Sequence, residues 1–262
     1  MALPPPDKQT YNSPTQRNVD LGLKFFYFGP YVVQMKLPKE CGDIFLYEGE
    51  KSRKKGNRID KNLAGNLYGQ FDLDNSCPEI LYYIKQFVES YCESHNIYWN
   101  VHKKLRPNDW FIADLWINYM RAGDYNPIHN HAGDISFVFF PAPTPNELKE
   151  EVKNFKGTTL GPGVLSILNG EIHNLTNNEV NVLPEQGDLF VFPAHVKHMV
   201  YGFKSNCTRV SVSGNIFLPN SPALISNLRL TPAIKENIKQ VSYNNDHNLR
   251  YYKGDRTQIQ GS

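Results

Sequence analysis

At 262 residues and a formal net charge of +2, the chain is long enough for one large domain with a substantial core. It carries no bulk field that would draw it to nucleic acid or a membrane. Its four cysteines, Cys41, Cys77, Cys92 and Cys207, are too scattered for a disulfide framework or a close-spaced zinc motif, which suits a reducing cytoplasm.

The N-terminal residues Met1 to Asp7 lack the basic-then-apolar pattern of a signal peptide, and no apolar run approaches a membrane span. A cytoplasmic protein with no membrane partner is therefore expected. Residues 1–18 are polar and proline-rich and read as a flexible N-terminal arm. Residues 25–35 read as strand material broken by the Gly29-Pro30 turn. The basic run Lys51 to Arg58 reads first as a solvated loop and second as a patch contacting phosphate or nucleic acid.

From Pro78 the pattern turns helical. Ile80, Leu81, Ile84, Phe87, Val88 and Tyr91 recur at three- and four-residue spacing, predicting a helix to about Ser94 with Ser76 as its N-cap. After Asn108 the period falls to two. Strands are predicted near 110–121, 126–131, 135–141, 164–169, 188–193, 198–203 and 207–218, separated by glycine turns at Gly123, Gly161 and Gly187. Short strands in series without helices between them predict a mainly β fold, a sandwich or barrel with N-terminal helical decoration. Residues 19–218 then form a single domain with its core at about 110–218, and the polar residues 219–262 form a C-terminal extension.

The chemistry gathers in three places. His129 and His131 are two residues apart, so in an extended strand they project from one side. His198 follows about 67 residues later, after the strand Asp188 to Pro193 and its proline turn. Three imidazoles on one face suit iron, copper, zinc or nickel and leave positions open for other ligands. Arg209, Ser211, Ser213 and Asn215 share one face of the last strand, and an arginine fork helped by a serine hydroxyl matches a carboxylate. Asn118, on the strand before the histidine pair, either faces that ligand or packs in the core. His195 reads as a rim residue, and His95, His102, His173 and His247 as structural or exposed.

These segments carry a resemblance. Trp116-Ile117-Asn118, Asn126 to His131, Gly133 to Val138, Gly187 to Pro193 and Arg209 to Ser213 resemble the Fe(II)- and 2-oxoglutarate-dependent oxygenases, in particular members found in T4-like bacteriophages of cyanobacteria. The resemblance covers residues 110–218 well and the N-terminal third more loosely. It implies a double-stranded β-helix (jelly roll, cupin-like), Fe(II) as metal, and 2-oxoglutarate, O2 and an unknown substrate as partners, in the host cytoplasm for a viral protein. By analogy His129 and His198 match the family's two histidine ligands. Arg209 matches the arginine on the far carboxylate of 2-oxoglutarate, and Ser211 its helper hydroxyl. The implied reaction is hydroxylation coupled to oxidative decarboxylation of 2-oxoglutarate.

One departure matters. The family's His-x-Asp or His-x-Glu is here His129-Asn130-His131, so the third ligand is either His131 or Asp134. Two other functions stay open: a cupin-type metalloenzyme that does not use 2-oxoglutarate, and a non-catalytic jelly-roll module. The substrate, the oligomeric state and any nucleic-acid partner are not indicated by the sequence.

Overall fold

Two-residue alternation sorts the side chains of the strands between Phe111 and Phe217 to one of two faces, and the computed structural model shows where each face goes. It describes residues 29–59, 63–67, 69–99, 110–158, 161–171 and 177–218. The expected N-terminal arm, the C-terminal extension, Phe25 to Phe28, His102, His173 and His247 lie outside the described residues.

In chain order the elements are β1 (Val33–Lys36), α1 (Lys39–Lys55), β2 (Gln70–Asp72), α2 (Pro78–Trp99), β3 (Phe111–Met120), β4 (Asn126–His129) and β5 (Ile135–Phe139). There follow α3 (Asn146–Lys153), β6 (Leu165–Leu168), β7 (Glu179–Val182), β8 (Asp188–Pro193), β9 (Lys197–Val200) and β10 (Arg209–Phe217). A six-stranded sheet runs β1-β8-β5-β10-β3-β2, facing a four-stranded sheet β4-β9-β6-β7, and every pairing is antiparallel. From β3 onward the chain alternates between the sheets except at the β6–β7 hairpin, which lies within the smaller one, as in the double-stranded β-helix expected from the sequence.

The larger sheet is buried on both faces. Leu115, Ile117, Phe137, Phe139, Leu189, Val191, Val212 and Ile216 point outward and pack with Phe45 of α1 and Ile80, Leu81, Ile84, Phe87 and Tyr91 of α2. Each such side chain taken from water stabilises the fold by about 1.5–3 kcal/mol. On the inner face, Val138, Phe140, Phe190 and Phe192 meet Leu165 and Ile167 of the smaller sheet. The inner face of β3 and β10 is different, because it is polar. There lie Asn118, Arg209, Ser211 and Asn215, all buried.

Three sequence expectations are corrected. The basic run is no loop up to Lys55: it forms the last turns of α1, closed by Gly56 at φ 73, a left-handed position that suits glycine. Helix α2 continues beyond Ser94 to Trp99. Ser76 does not cap it; its N–H and hydroxyl donate to Asp74 Oδ1 at 2.9 and 2.5 Å. No helix among the described residues is long and apolar enough to cross a membrane.

Candidate metal centre

β4 and β9 are neighbours in the smaller sheet, and their register sets His129 directly opposite His198. His131 lies just past the end of β4, where its backbone N–H donates to Ala194 O at 2.9 Å in the turn leading to β9. The three rings therefore converge, with centroids 4.3 Å apart for His129 and His198 and 4.9 Å for each pair involving His131. Their ligand nitrogens all lie within 4.8 Å of one another. His131 Nε2 and His198 Nε2 are 3.1 Å apart, close to the roughly 3 Å expected of two nitrogens about 2.1 Å from one ion.

Local backbone aims the rings. His129 Nδ1 donates to Pro127 O at 2.7 Å and His198 Nδ1 to Val196 O at 3.1 Å. With Nδ1 protonated, the Nε2 lone pair of each turns toward the cluster, the tautomer a metal requires. Phe192 stands edge-on to His198 with centroids 5.0 Å apart, and Trp116 lies 5.7 Å from His131.

Burial keeps all three rings neutral. Desolvation lowers the pKa of His129 and pushes that of His198 down to about 4, helped by the nearby His129. His131 falls well below the ordinary histidine range, through burial first and then its two neighbours. Three neutral imidazoles with converging lone pairs are a ready ligand set for a borderline divalent cation.

The same cleft holds Arg209, Ser211 and Asn118, and it encloses about 630 Å3 including its open mouth. Arg209 is 4 % exposed and lies over the Phe140 ring with its Cζ 4.7 Å from the centroid. Among the described residues its Nη1 reaches only Met120 Sδ at 3.9 Å, and its Nε and Nη2 have no hydrogen-bond partner. Burial lowers its pKa to about 10, so it stays charged at neutral pH. A buried guanidinium with two unspent donors is costly, about 1–3 kcal/mol or more. Such a group calls for an anion.

Ser211 sits opposite Asn118 in the β3–β10 register, and Asn118 Nδ2 donates to Ser211 Oγ at 3.3 Å. Gln70 Nε2 in turn donates to Asn118 Oδ1 at 2.8 Å. Asn118 is thus held from β2 and in turn holds the serine. Farther along β10, Asn215 is internally satisfied: it accepts from Ser136 Oγ at 2.8 Å and donates to Asp114 Oδ2 at 3.1 Å.

Asp134 lies apart from this assembly. Its Oδ2 accepts the backbone N–H of Leu218 at 2.8 Å, closing the end of β10, and no carboxylate lines the cleft among the described residues. His195 is exposed, and His95 packs against Tyr31 and Tyr91. Sequence reasoning missed Gln70, Asn126 and the segment with Leu63, Ala64, Gly65 and Leu67, all of which line the cleft. Gln70 belongs to a three-residue strand and the segment has no periodicity, so neither left a readable signal.

Residues 114–215 match the family model described as "Putative 2OG-Fe(II) oxygenase". A comparison with curated proteins finds no match. Among solved structures, the chain is similar to a prolyl hydroxylase from Trichoplax adhaerens in complex with a hypoxia inducible factor oxygen degradation domain peptide fragment. That likeness has 12% identity and a TM-score of 0.51 and covers 75% of this chain and 86% of that one. A Pseudomonas putida prolyl-4-hydroxylase (P4H) is similar at 14% identity and a TM-score of 0.49, over 72% of this chain and 93% of that one. At such identities the structures speak for the fold alone. The sequence match spans residues 114–215, to a family that uses Fe(II) and 2-oxoglutarate, and the likeness to the Trichoplax adhaerens structure is one of fold.

Proposed function

We propose that the cleft is the active site of an Fe(II)- and 2-oxoglutarate-dependent hydroxylase, of the kind its motifs resemble in T4-like phages. His129, His131 and His198 hold the metal, which supplies the oxidising chemistry with O2 when bound. Arg209 takes the far carboxylate of 2-oxoglutarate in its fork, through the Nε and Nη2 donors that are otherwise unspent. Ser211 adds a hydroxyl, positioned by Asn118 and Gln70. Trp116 and Phe192 wall the imidazoles and limit water. The observation that carries this reading is a buried, charged, unpartnered guanidinium in the same cleft as three converging neutral imidazoles.

One observation favours a second reading. The ligand set has no carboxylate, which suits a cupin-type metalloenzyme without 2-oxoglutarate, but such a site has no use for Arg209. Calorimetric titration of 2-oxoglutarate into the Mn(II)-loaded protein without oxygen separates the readings. Saturable binding that weakens at least 100-fold in Arg209→Ala is expected. Metal binding without 2-oxoglutarate binding would favour the cupin reading, and no metal binding would favour a non-catalytic module.

A further inference from the structure

We propose that the part of the cleft between β4 and residues 63–67 takes the substrate as an uncharged, apolar group carrying an N–H or O–H donor, and that Asn126 selects it by accepting that hydrogen bond. This rests on the hydroxylase reading above and adds a class of substrate to it.

The sheet register divides the cleft. On the inner face of the smaller sheet, His129 of β4 stands opposite His198 of β9, which in turn faces Ile167 of β6. The next row across the same strands is Asn126, Val200 and Leu165. Asn126 therefore shares a strand and a face with a metal ligand, one row away from it. Residues 63–67 are laid against this row by an antiparallel bridge. Asn66 N–H donates to Tyr125 O at 3.0 Å, and Tyr125 N–H donates to Asn66 O at 3.4 Å. From there the chain runs on to β2, so the segment passes from the edge of the smaller sheet to the edge of the larger.

The wall so formed is apolar. Leu63, Ala64 and Leu67 line the cleft together with Val200 and Leu165. Arg209, which takes the far carboxylate of 2-oxoglutarate, is the only charged side chain on the lining among the described residues. A charged substrate group would lose its water against this wall and find no countercharge. The wall does hold an amide, that of Asn126. Its Oδ1 is shut away from solvent and has no hydrogen-bond partner among the described residues. Gly65 lies beside it: a Cβ there would stand 3.2 Å from that oxygen and 2.9 Å from Leu67 Cδ1, so the glycine keeps side-chain bulk away from the acceptor.

A buried acceptor left unpaired is costly. A site built around one also rejects an analogue without the donor far more strongly than an apolar wall rejects a missing methylene. The cleft thus has two halves. The face with Arg209, Ser211 and Asn118 holds the oxo-acid, and Asn126 with residues 63–67 holds the group to be hydroxylated.

The test loads the full-length protein with Mn(II) and 2-oxoglutarate without oxygen and follows the NMR relaxation of added probes, which bound Mn(II) speeds for nearby protons. N-isobutylacetamide, apolar with a single N–H, is expected to show a saturable effect. Its N-methyl analogue, which lacks the donor, and the charged isobutylammonium ion should each bind at least 10-fold more weakly. In Asn126→Leu the amide should lose its advantage over the N-methyl analogue. No saturable effect from the amide, equal affinities for the amide and its N-methyl analogue, tighter binding of isobutylammonium, or a preference kept in Asn126→Leu overturns the proposal. The wild-type comparison decides by itself where the variant fails to fold. Calorimetric titration of 2-oxoglutarate on the same preparation judges the hydroxylase reading separately. A protein that binds 2-oxoglutarate but does not prefer the amide loses this proposal alone. One that binds Mn(II) and prefers the amide, yet binds no 2-oxoglutarate, loses the hydroxylase reading and keeps the role of Asn126.

Discussion

Arg209 separates stability from function more sharply than any other residue in the cleft. It is charged, buried and, among the described residues, without a hydrogen-bond partner at Nε and Nη2, so the fold carries it at a cost. Arg209→Met, of similar reach and apolar, is expected to raise the stability of the metal-free protein by about 1–3 kcal/mol while abolishing 2-oxoglutarate binding. Thermal unfolding and calorimetry on one preparation test this, and a loss of stability would show that the guanidinium has a structural partner. The third ligand can be decided in the same way. His131→Ala should weaken metal binding about 100-fold or more. Asp134→Asn should leave metal binding unchanged and cost about 1 kcal/mol through the weakened acceptor for Leu218.

The histidines also fix a pH dependence. His198 titrates at about 4 in the folded chain against roughly 6.5 unfolded, so between those values the unfolded chain binds more protons. The stability this contributes, about 3 kcal/mol, is present above pH 6.5 and lost as pH falls toward 4. His129 and His131 shift in the same direction. The melting temperature of the metal-free protein should therefore fall through this window, less steeply in His198→Gln. Equal slopes would refute the assignment.

At the scale of elements, what the sequence disclosed depended on whether large apolar residues marked the buried face. β3, β5, β8 and β10 bury nearly every residue, and their two-residue period was plain. Helix α1 was invisible because its buried face is Cys41, Gly42, Phe45, Gly49 and Ser52: helical spacing, but small or polar side chains. Those glycines let the helix lie close to the sheet. A Cβ on Gly42 would meet Pro141 O at 2.6 Å. Gly42→Ala would gain about 1 kcal/mol in helix propensity, but overpacking against a backbone carbonyl costs about 1–3 kcal/mol or more. The variant should therefore be less stable in urea, and a gain would mean that α1 stands farther from the sheet. Strand β7 and helix α3 were missed for a related reason, since they are short and mostly exposed.

For the whole molecule, the layering explains why the site residues could be read but not joined. Spacing shows that His129 and His131 share a face and that Arg209 leads a polar face. Only the pairings of β4 with β9 and of β3 with β10 bring them into one cleft, and that His131 joins the cluster while Asp134 lies apart depends on a turn that spacing does not describe. Because the three imidazoles sit on β4, just past its end and on β9, metal binding there should stabilise the whole domain. Metal at 100 times its dissociation constant is expected to add about 2.7 kcal/mol, read as a rise in melting temperature that EDTA reverses.

The central claim is that the three imidazoles and Arg209 form one site for a metal and an oxo-acid. It is tested most directly by adding 2-oxoglutarate to the protein loaded with Fe(II) under strict exclusion of oxygen and recording the visible spectrum. A weak charge-transfer band that appears on addition, saturates, and is absent in Arg209→Ala is the predicted result. Bound Fe(II) with no band, or a band of equal strength and affinity in Arg209→Ala, would contradict it.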